Sequence, residues 1–225
     1  RSATAVEEAA QLRGQLALVQ RCASDKGRHS FMTGQPTASN NVFLDCVATN
    51  PYSSSEPHEQ WATGSLYDNI RAPLTARCWK NINIGWAGAN TVFWNCEGYF
   101  LVQKPPTAQN YSFGHIGVDA VVFNIPLQDT TKENGHIESL DRHVMPRSLY
   151  LTQLRERLGE AAVGALVNHV PTVRQVLGPP PIHPPLPREG RPPIELDDLA
   201  GLRSGDVLQV PDSPTGQDRH PDLAV

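Results

Sequence analysis

The sequence predicts an all-β protein, a right-handed parallel β-helix that is incomplete and is followed by a capping α-helix. Three observations carry this. First, a phrase of short apolar strand, polar residue and cysteine occurs three times, as Leu18-Val19-Gln20-Arg21-Cys22, Val42-Phe43-Leu44-Asp45-Cys46 and Val92-Phe93-Trp94-Asn95-Cys96. Second, the step is 24 residues from Cys22 to Cys46 and 50, near twice that, from Cys46 to Cys96. Half-way along the longer step stands Leu66-Tyr67-Asp68-Asn69-Ile70, read as the same phrase with Asn69 where the cysteine would be. Third, from Gln15 to Gly117 the strands are separated by Gly, Pro, Asn and Ser clusters such as Thr33 to Asn41 and Asn50 to Ser55, with no helix between them. Parallel strands at a short period without crossover helices require a solenoid, in which each coil buries its apolar face on its neighbours.

Taken in order, residues 1–14 contain good helix formers (Ala5-Val6-Glu7-Glu8-Ala9-Ala10-Gln11-Leu12) without an apolar stripe, and read as a weak helix or a frayed end. Residues 15–145 are the coils. Asn41, Asn69, Asn90 and Asn95 lie at or beside strand ends, where asparagine satisfies backbone groups and stacks from coil to coil. The regular step dissolves between Val118 and Glu138. Residues 146–170 then form the cap: Leu151, Leu154 and Leu158 recur on one helical face, Gly159 is placed to end the helix, and Glu160 to Val167 extends it. Residues 171–225, opening with the proline-rich Gly178 to Pro187, read as a disordered tail in extended polyproline form.

Composition removes several functions. A formal net charge of -4 without a basic run argues against a nucleic-acid surface. No apolar stretch reaches the roughly 18 residues of a membrane span. The chain opens on Arg1 and shows no signal peptide, as a fragment or processed product would. The four cysteines (Cys22, Cys46, Cys78, Cys96) have no zinc-ligand spacing and are expected as stacked inward thiols. A Cys22 to Cys46 bridge lies within reach across one strand spacing, although in-register parallel side chains point alike.

Polar and aromatic clusters follow the strand phrases. Asp25, Lys26, Arg28 and His29 stand within five residues; Glu56, His58, Glu59 and Trp61 form a second group; Trp86 and Asn90 lie in a glycine-rich turn, and Gln109-Asn110 follow a later one. Equivalent points of successive coils fall in a column, so these segments are expected to line one groove suited to a linear polymer. The same residues also suit loop histidines, solvated ion pairs and core tryptophans. Asp25, Asp45, Glu56, Glu59 and Asp68 leave a paired-carboxylate hydrolase open. No aspartate cluster dense enough for calcium is seen, so neither a metal nor a cofactor is expected.

Leu18 to Gly34, His58 with Trp61-Ala62-Thr63-Gly64, Gly85 to Cys96, Pro105 to Asn110 and Pro146 to Tyr150 together resemble bacterial right-handed β-helix proteins of the pectate-lyase-like superfamily, in their C-terminal half. The resemblance implies an extracellular or cell-surface monomer acting on a polysaccharide. Its lyase members remove the proton alpha to a uronic carboxylate. His29 or Lys26 would then be the base, Arg28 the carboxylate clamp, and Asp25, His58, Trp61, Trp86, Asn90, Gln109 and Asn110 the substrate-binding residues. Asn83-Ile84 and Glu59-Gln60 depart from the pattern, which carries a glycine-histidine pair and more basic residues at these places. A non-catalytic binding scaffold and an inactive truncated fragment are the alternatives.

Overall fold

A computed structural model describes residues 8–35, 38–78, 85–117, 129 and 131–168 of the chain. The expected tail and the Asn83-Ile84 departure lie outside these residues.

The strands are β1 (Glu8–Leu12), β2 (Leu18–Gln20), β3 (Ala23–Asp25), β4 (His29–Gly34), β5 (Val42–Leu44), β6 (Val47–Thr49), β7 (Glu56–Glu59), β8 (Ala62–Thr63), β9 (Leu66–Asp68), β10 (Leu74–Ala76), β11 (Gly88–Ala89), β12 (Val92–Trp94), β13 (Phe100–Val102), β14 (Tyr111–Phe113) and β15 (His136–Glu138). Every strand-to-strand pairing is parallel. The longest sheet runs β2-β5-β9-β12-β14-β15 and aligns Leu18, Val42, Leu66, Val92, Tyr111 and His136, so successive rungs are 24, 24, 26, 19 and 25 residues apart. The chain is therefore a parallel β-solenoid of five turns, and its last rung lies beyond the point where the step fades from the sequence.

Side chains alternate across each strand. The middle residues Phe43, Tyr67 and Phe93 point inward and are fully buried, with ring centroids 5.0 and 5.1 Å apart along the column. Phe31 of β4 joins them 5.9 Å from Phe43, and Leu74, Ala76, Phe100 and Val102 complete the core.

Each rung of the long sheet ends at a residue with positive φ: Arg21 (52°), Asp45 (53°), Asn69 (56°), Asn95 (50°), Gly114 (69°) and Ser139 (57°). Those of the first five rungs donate their N–H to a carbonyl of the next coil: Arg21 to Leu44 (2.8 Å), Asp45 to Asp68 (3.0 Å), Asn69 to Trp94 (2.8 Å), Asn95 to Phe113 (2.8 Å) and Gly114 to Glu138 (3.0 Å). Asn69 thus occupies the corner column with Asp45 and Asn95. The residue in register with the cysteines is Ile70, because the bridges from Arg71 to Val47 and Glu97 place its neighbour beside Cys46 and Cys96. The expectation that Asn69 replaces a cysteine was displaced by one position. Cys46 and Cys96 are buried in this column, whereas Cys22, on the first rung, is exposed.

Asn41 fulfils the coil-bridging role expected of asparagine: fully buried, it donates to Gly14 O (2.9 Å) and accepts from Ala17 N (3.0 Å). Glu8–Leu12, read from propensity as a helix or frayed end, is strand β1 paired with β4. The exposed edge of β4 overrides a weak local preference, since propensity is only a prior where a partner strand is available.

After the last rung come α1 (Leu149–Leu158) and α2 (Glu160–Val167), as expected. Ser148 caps α1, its Oγ accepting from Leu151 N, and Gly159 ends the helix at φ 82°. The segment leading into α1 runs along the flank of the coils and is held by the corner residues. Asn95 Nδ2 donates to the carbonyls of Val144 (2.8 Å), Arg147 (3.0 Å) and Pro146 (3.3 Å), and its Oδ1 accepts from Val144 N (2.7 Å). Asn69 Nδ2 reaches Arg147 O (2.9 Å), Arg147 pairs with Asp45, and buried Asp68 accepts from Ser148 Oγ (2.7 Å) and Tyr150 N (2.8 Å). Trp94, next to inward-facing Phe93 on its strand, faces this segment and donates Nε1 to Pro146 O (2.9 Å). At Gly114 a Cβ would collide with Asn95 Oδ1 and Val144 N, so a side chain there would expel the segment.

Replacing Asn95 with Ala removes these bonds and takes from Val144 the partners of both its N–H and its carbonyl, while Pro146 O keeps Trp94 and Arg147 O keeps Asn69. We expect a loss of about 3 kcal/mol in urea unfolding. Asn69→Ala, which removes one such bond, is expected to cost about 1 kcal/mol.

Candidate functional site

The β4-β7 sheet carries a buried polar cluster. Ser55 pairs with core Leu74, so alternation turns Ser54, Glu56 and His58 of one coil and Thr75 and Arg77 of the next to the opposite face. Glu56 is fully buried. Its Oε2 accepts from Ser54 Oγ (2.8 Å) and from Thr75 Oγ1, and lies 3.2 Å from the buried Arg77 guanidinium. Its Oε1 accepts from His58 Nδ1 at 2.6 Å. His29 Nδ1 is 3.4 Å from the same oxygen but donates to Ser54 O at 2.7 Å. The two imidazoles lie 4.5 Å apart, centroid to centroid. A register shift between Thr33 and Gly34, which pairs Gly34 with Glu59 and skips His58, opens the strand at this histidine.

Burial alone would raise the Glu56 carboxyl, but the Arg77 guanidinium and the hydrogen bond from His58 outweigh it and hold the group well below the carboxylate range. It is a permanent anion at neutral pH. Burial lowers His29, with Glu56 and the Ser54 carbonyl opposing only in part, so this imidazole stays neutral. With Nδ1–H directed at Glu56, proton exchange at His58 falls to Nε2. His29 Nε2 is buried without a hydrogen-bond partner among the described residues.

Of the residues expected to act, His29 and His58 are brought together. His29, at 2% side-chain exposure, has no route to a polymer, whereas His58 is 17% exposed. Arg28 is exposed beside His29. Lys26 and Asp25 sit on the neighbouring β3-β6 face, 4.0 Å apart, and Asp25 accepts from Thr49 Oγ1 (2.8 Å) and Asn50 Nδ2 (2.9 Å). Trp61 occupies a left-handed corner (φ 62°), is 37% exposed, and donates its backbone N–H to Trp86 O at 3.0 Å, so the two residues stand on adjacent rungs. Asn90 is an exposed corner bonded through its backbone to Gln109. Asn110 is fully buried and spent on Thr91 N, Gly88 O and Gln103 O, which makes it a coil-bridging residue like Asn41. Asp45 and Asp68 are committed to the C-terminal segment, which removes them from a hydrolase pair.

Glu56 was expected only as a member of the second polar group and as one carboxylate among five, and Thr75 and Arg77 were not singled out, nor was Ser54 as a site residue. The one available signal was the alternation Ser54-x-Glu56-x-His58, which puts three polar groups on one strand face.

By donor type and proximity, His29, Glu56 and His58 offer three ligand atoms within 4.8 Å of one another, a set the sequence reading missed. The charge argues against a dication. Arg77 already compensates Glu56, and a metal would add two buried positive charges beside it.

The chain matches no family model, no curated protein and no solved structure. The geometry of the site is that of an anionic carboxylate, held by four groups, that orients a partly exposed imidazole.

Two outcomes follow for pH. Glu56, with its pKa depressed on folding, stabilises the fold fully above the ordinary glutamate range and loses that contribution as pH falls below it. His29 and His115 are buried neutral, His115 lowered to about 4 by burial, so both oppose folding once the unfolded chain protonates below about 6.5. Stability measured by urea titration is expected to fall steadily from pH 7 to pH 4. His115 alone accounts for about 3 kcal/mol of that fall, and Glu56→Gln flattens the part below pH 5.

Proposed function

We propose that the protein is a carbohydrate-active β-helix protein of the pectate-lyase-like kind, working outside the cell or at its surface, and that it cleaves a uronic-acid polymer by proton abstraction. The observation that carries this reading is the Glu56–His58 pair: a buried anion 2.6 Å from Nδ1 of a partly exposed imidazole. A carboxylate in that position sets the tautomer and stabilises the imidazolium that forms when Nε2 takes a proton.

In the proposed reaction His58 Nε2 removes the proton alpha to the uronate carboxylate. The electron pair forms the ring double bond and the glycosidic oxygen leaves from the adjacent carbon, taking a proton from solvent. Arg28 faces the substrate carboxylate, and Trp61 and Trp86 receive sugar rings on their faces. His29 takes a positioning role against Glu56 and His58, and Lys26 stands apart. The reading thus moves the base from His29 or Lys26 to His58. The tryptophans on adjacent rungs also favour a second reading, a non-catalytic carbohydrate-binding scaffold, because a sugar can stack there without help from His58.

Assay of the full chain against a panel of uronic-acid polymers, following the absorbance of unsaturated ends, separates the two. We expect product from at least one polymer, a rate lowered about 10²- to 10⁴-fold in His58→Gln with affinity retained, and binding weakened several-fold in Trp61→Ala. Binding without product from any polymer would leave the scaffold. Absence of both would discard the carbohydrate reading.

A further inference from the structure

The cysteine column supports an inference that is independent of the polar site. Pairing on both sides, Gln20 with Leu44 before and Ala23 with Val47 after, sets Cys22 directly opposite Cys46 on the next rung. Strand spacing puts their alpha carbons about 4.8 Å apart, inside the range a disulfide tolerates. Cys46 Sγ leans toward the first rung, 3.7 Å from Val19 O, while both thiols rest on the carbonyl two residues back, Gln20 O and Leu44 O, each at 3.3 Å. Their side chains therefore point alike, and closing the bond requires rotation about χ1. Cys22 has the room for it, since it is exposed on the first rung. The other cysteines lack this option: Ile70 separates Cys46 from Cys96 by two rungs, about 10 Å, and Cys78 lies on another face, bridged to Trp86.

We infer that Cys22 and Cys46 form a reversible dithiol–disulfide pair at the first rung of the solenoid, with Cys22 as the attacking thiol and Cys46 as the resolving one. A small-molecule disulfide is the oxidant. The Cys22 thiolate attacks one of its sulfurs, forming a mixed disulfide and releasing one small thiol. Cys46 then attacks the Cys22 sulfur, and its proton passes through solvent to the departing small thiolate, which leaves as the second small thiol. Two protein thiols are oxidised and one small disulfide is reduced to two thiols. The local chemistry suits these roles. The hydrogen bond from Cys46 draws Cys22 below the usual thiol range against a smaller effect of burial, and the same bond together with burial holds Cys46 above it.

The test is oxidation of the full, folded chain with glutathione disulfide, followed by denaturation, alkylation and peptide mapping. Thiols open to alkylation are expected to fall from four to two, and a linked peptide pair carrying Cys22 and Cys46 to appear. In Cys46→Ser, Cys22 is expected to stop as the glutathione adduct. Should that variant not fold, the time course of the unaltered protein decides: an early Cys22 adduct that decays into the linked pair supports the inference. A Cys22 adduct that persists while Cys46 stays open to alkylation, a linkage between other cysteines, or four thiols remaining would overturn it.

Discussion

The structure depends on the hydrogen bond that each corner residue of the long sheet sends to the coil above it. At Arg21, Asp45, Asn69 and Asn95 the backbone turns through a left-handed conformation and its N–H is delivered to the next rung at 2.8 to 3.0 Å. Such a conformation costs about 1 kcal/mol or more outside glycine, less for Asn and Asp. Because the donor comes from a fixed point of every coil, register is locked at the corner. Phe43, Tyr67 and Phe93 then stack whether the intervening stretch is 24 or 26 residues long. Variation in coil length is absorbed in the loops.

The same corners explain why the C-terminal segment lies along the flank. A left-handed residue points its side chain away from the sheet, where the amides of Asn69 and Asn95 meet a passing backbone as donor and acceptor. Four hydrogen bonds to Asn95 and those to Asp68 and Asn69 tie residues 144–150 to coils far away in sequence. The exposed Asp45–Arg147 pair adds little to this. Asparagine at these positions thus has two tasks, one for its backbone and one for its side chain, and glycine at position 114 performs only the first.

The polar cluster around Glu56 belongs to a different face and a different balance of forces. Burying a carboxylate is costly unless its charge is met and its lone pairs are filled. Here Arg77 meets the charge while Ser54, Thr75 and His58 fill the lone pairs. Removing any one of them leaves a buried polar group exposed to that cost. The carboxylate so held also fixes the direction of His58, the property a proton-transfer group needs.

Repeat period, strand phrases, loop clusters and the helix ending at Gly159 were legible because they follow from local patterns: apolar alternation, turn residues and helical spacing. Even there the column assignment slipped by one residue at Asn69: the step of 24 from Cys46 already lands on Ile70, and the paired ladder places Ile70 beside the cysteines. Composition could not show that Glu8–Leu12 would be a strand, because its conformation comes from the edge of β4. His29 and His58 were singled out by type, but their roles divide on exposure, a property of the packed coils. Arg77 and Thr75 lie 21 and 19 residues from Glu56, and both distances depart from the period of 24, so nothing local linked them. The sequence by itself determined that the chain stacks; the tertiary structure decided which polar side chains meet, because loops of unequal length bring together residues that a regular count would keep apart.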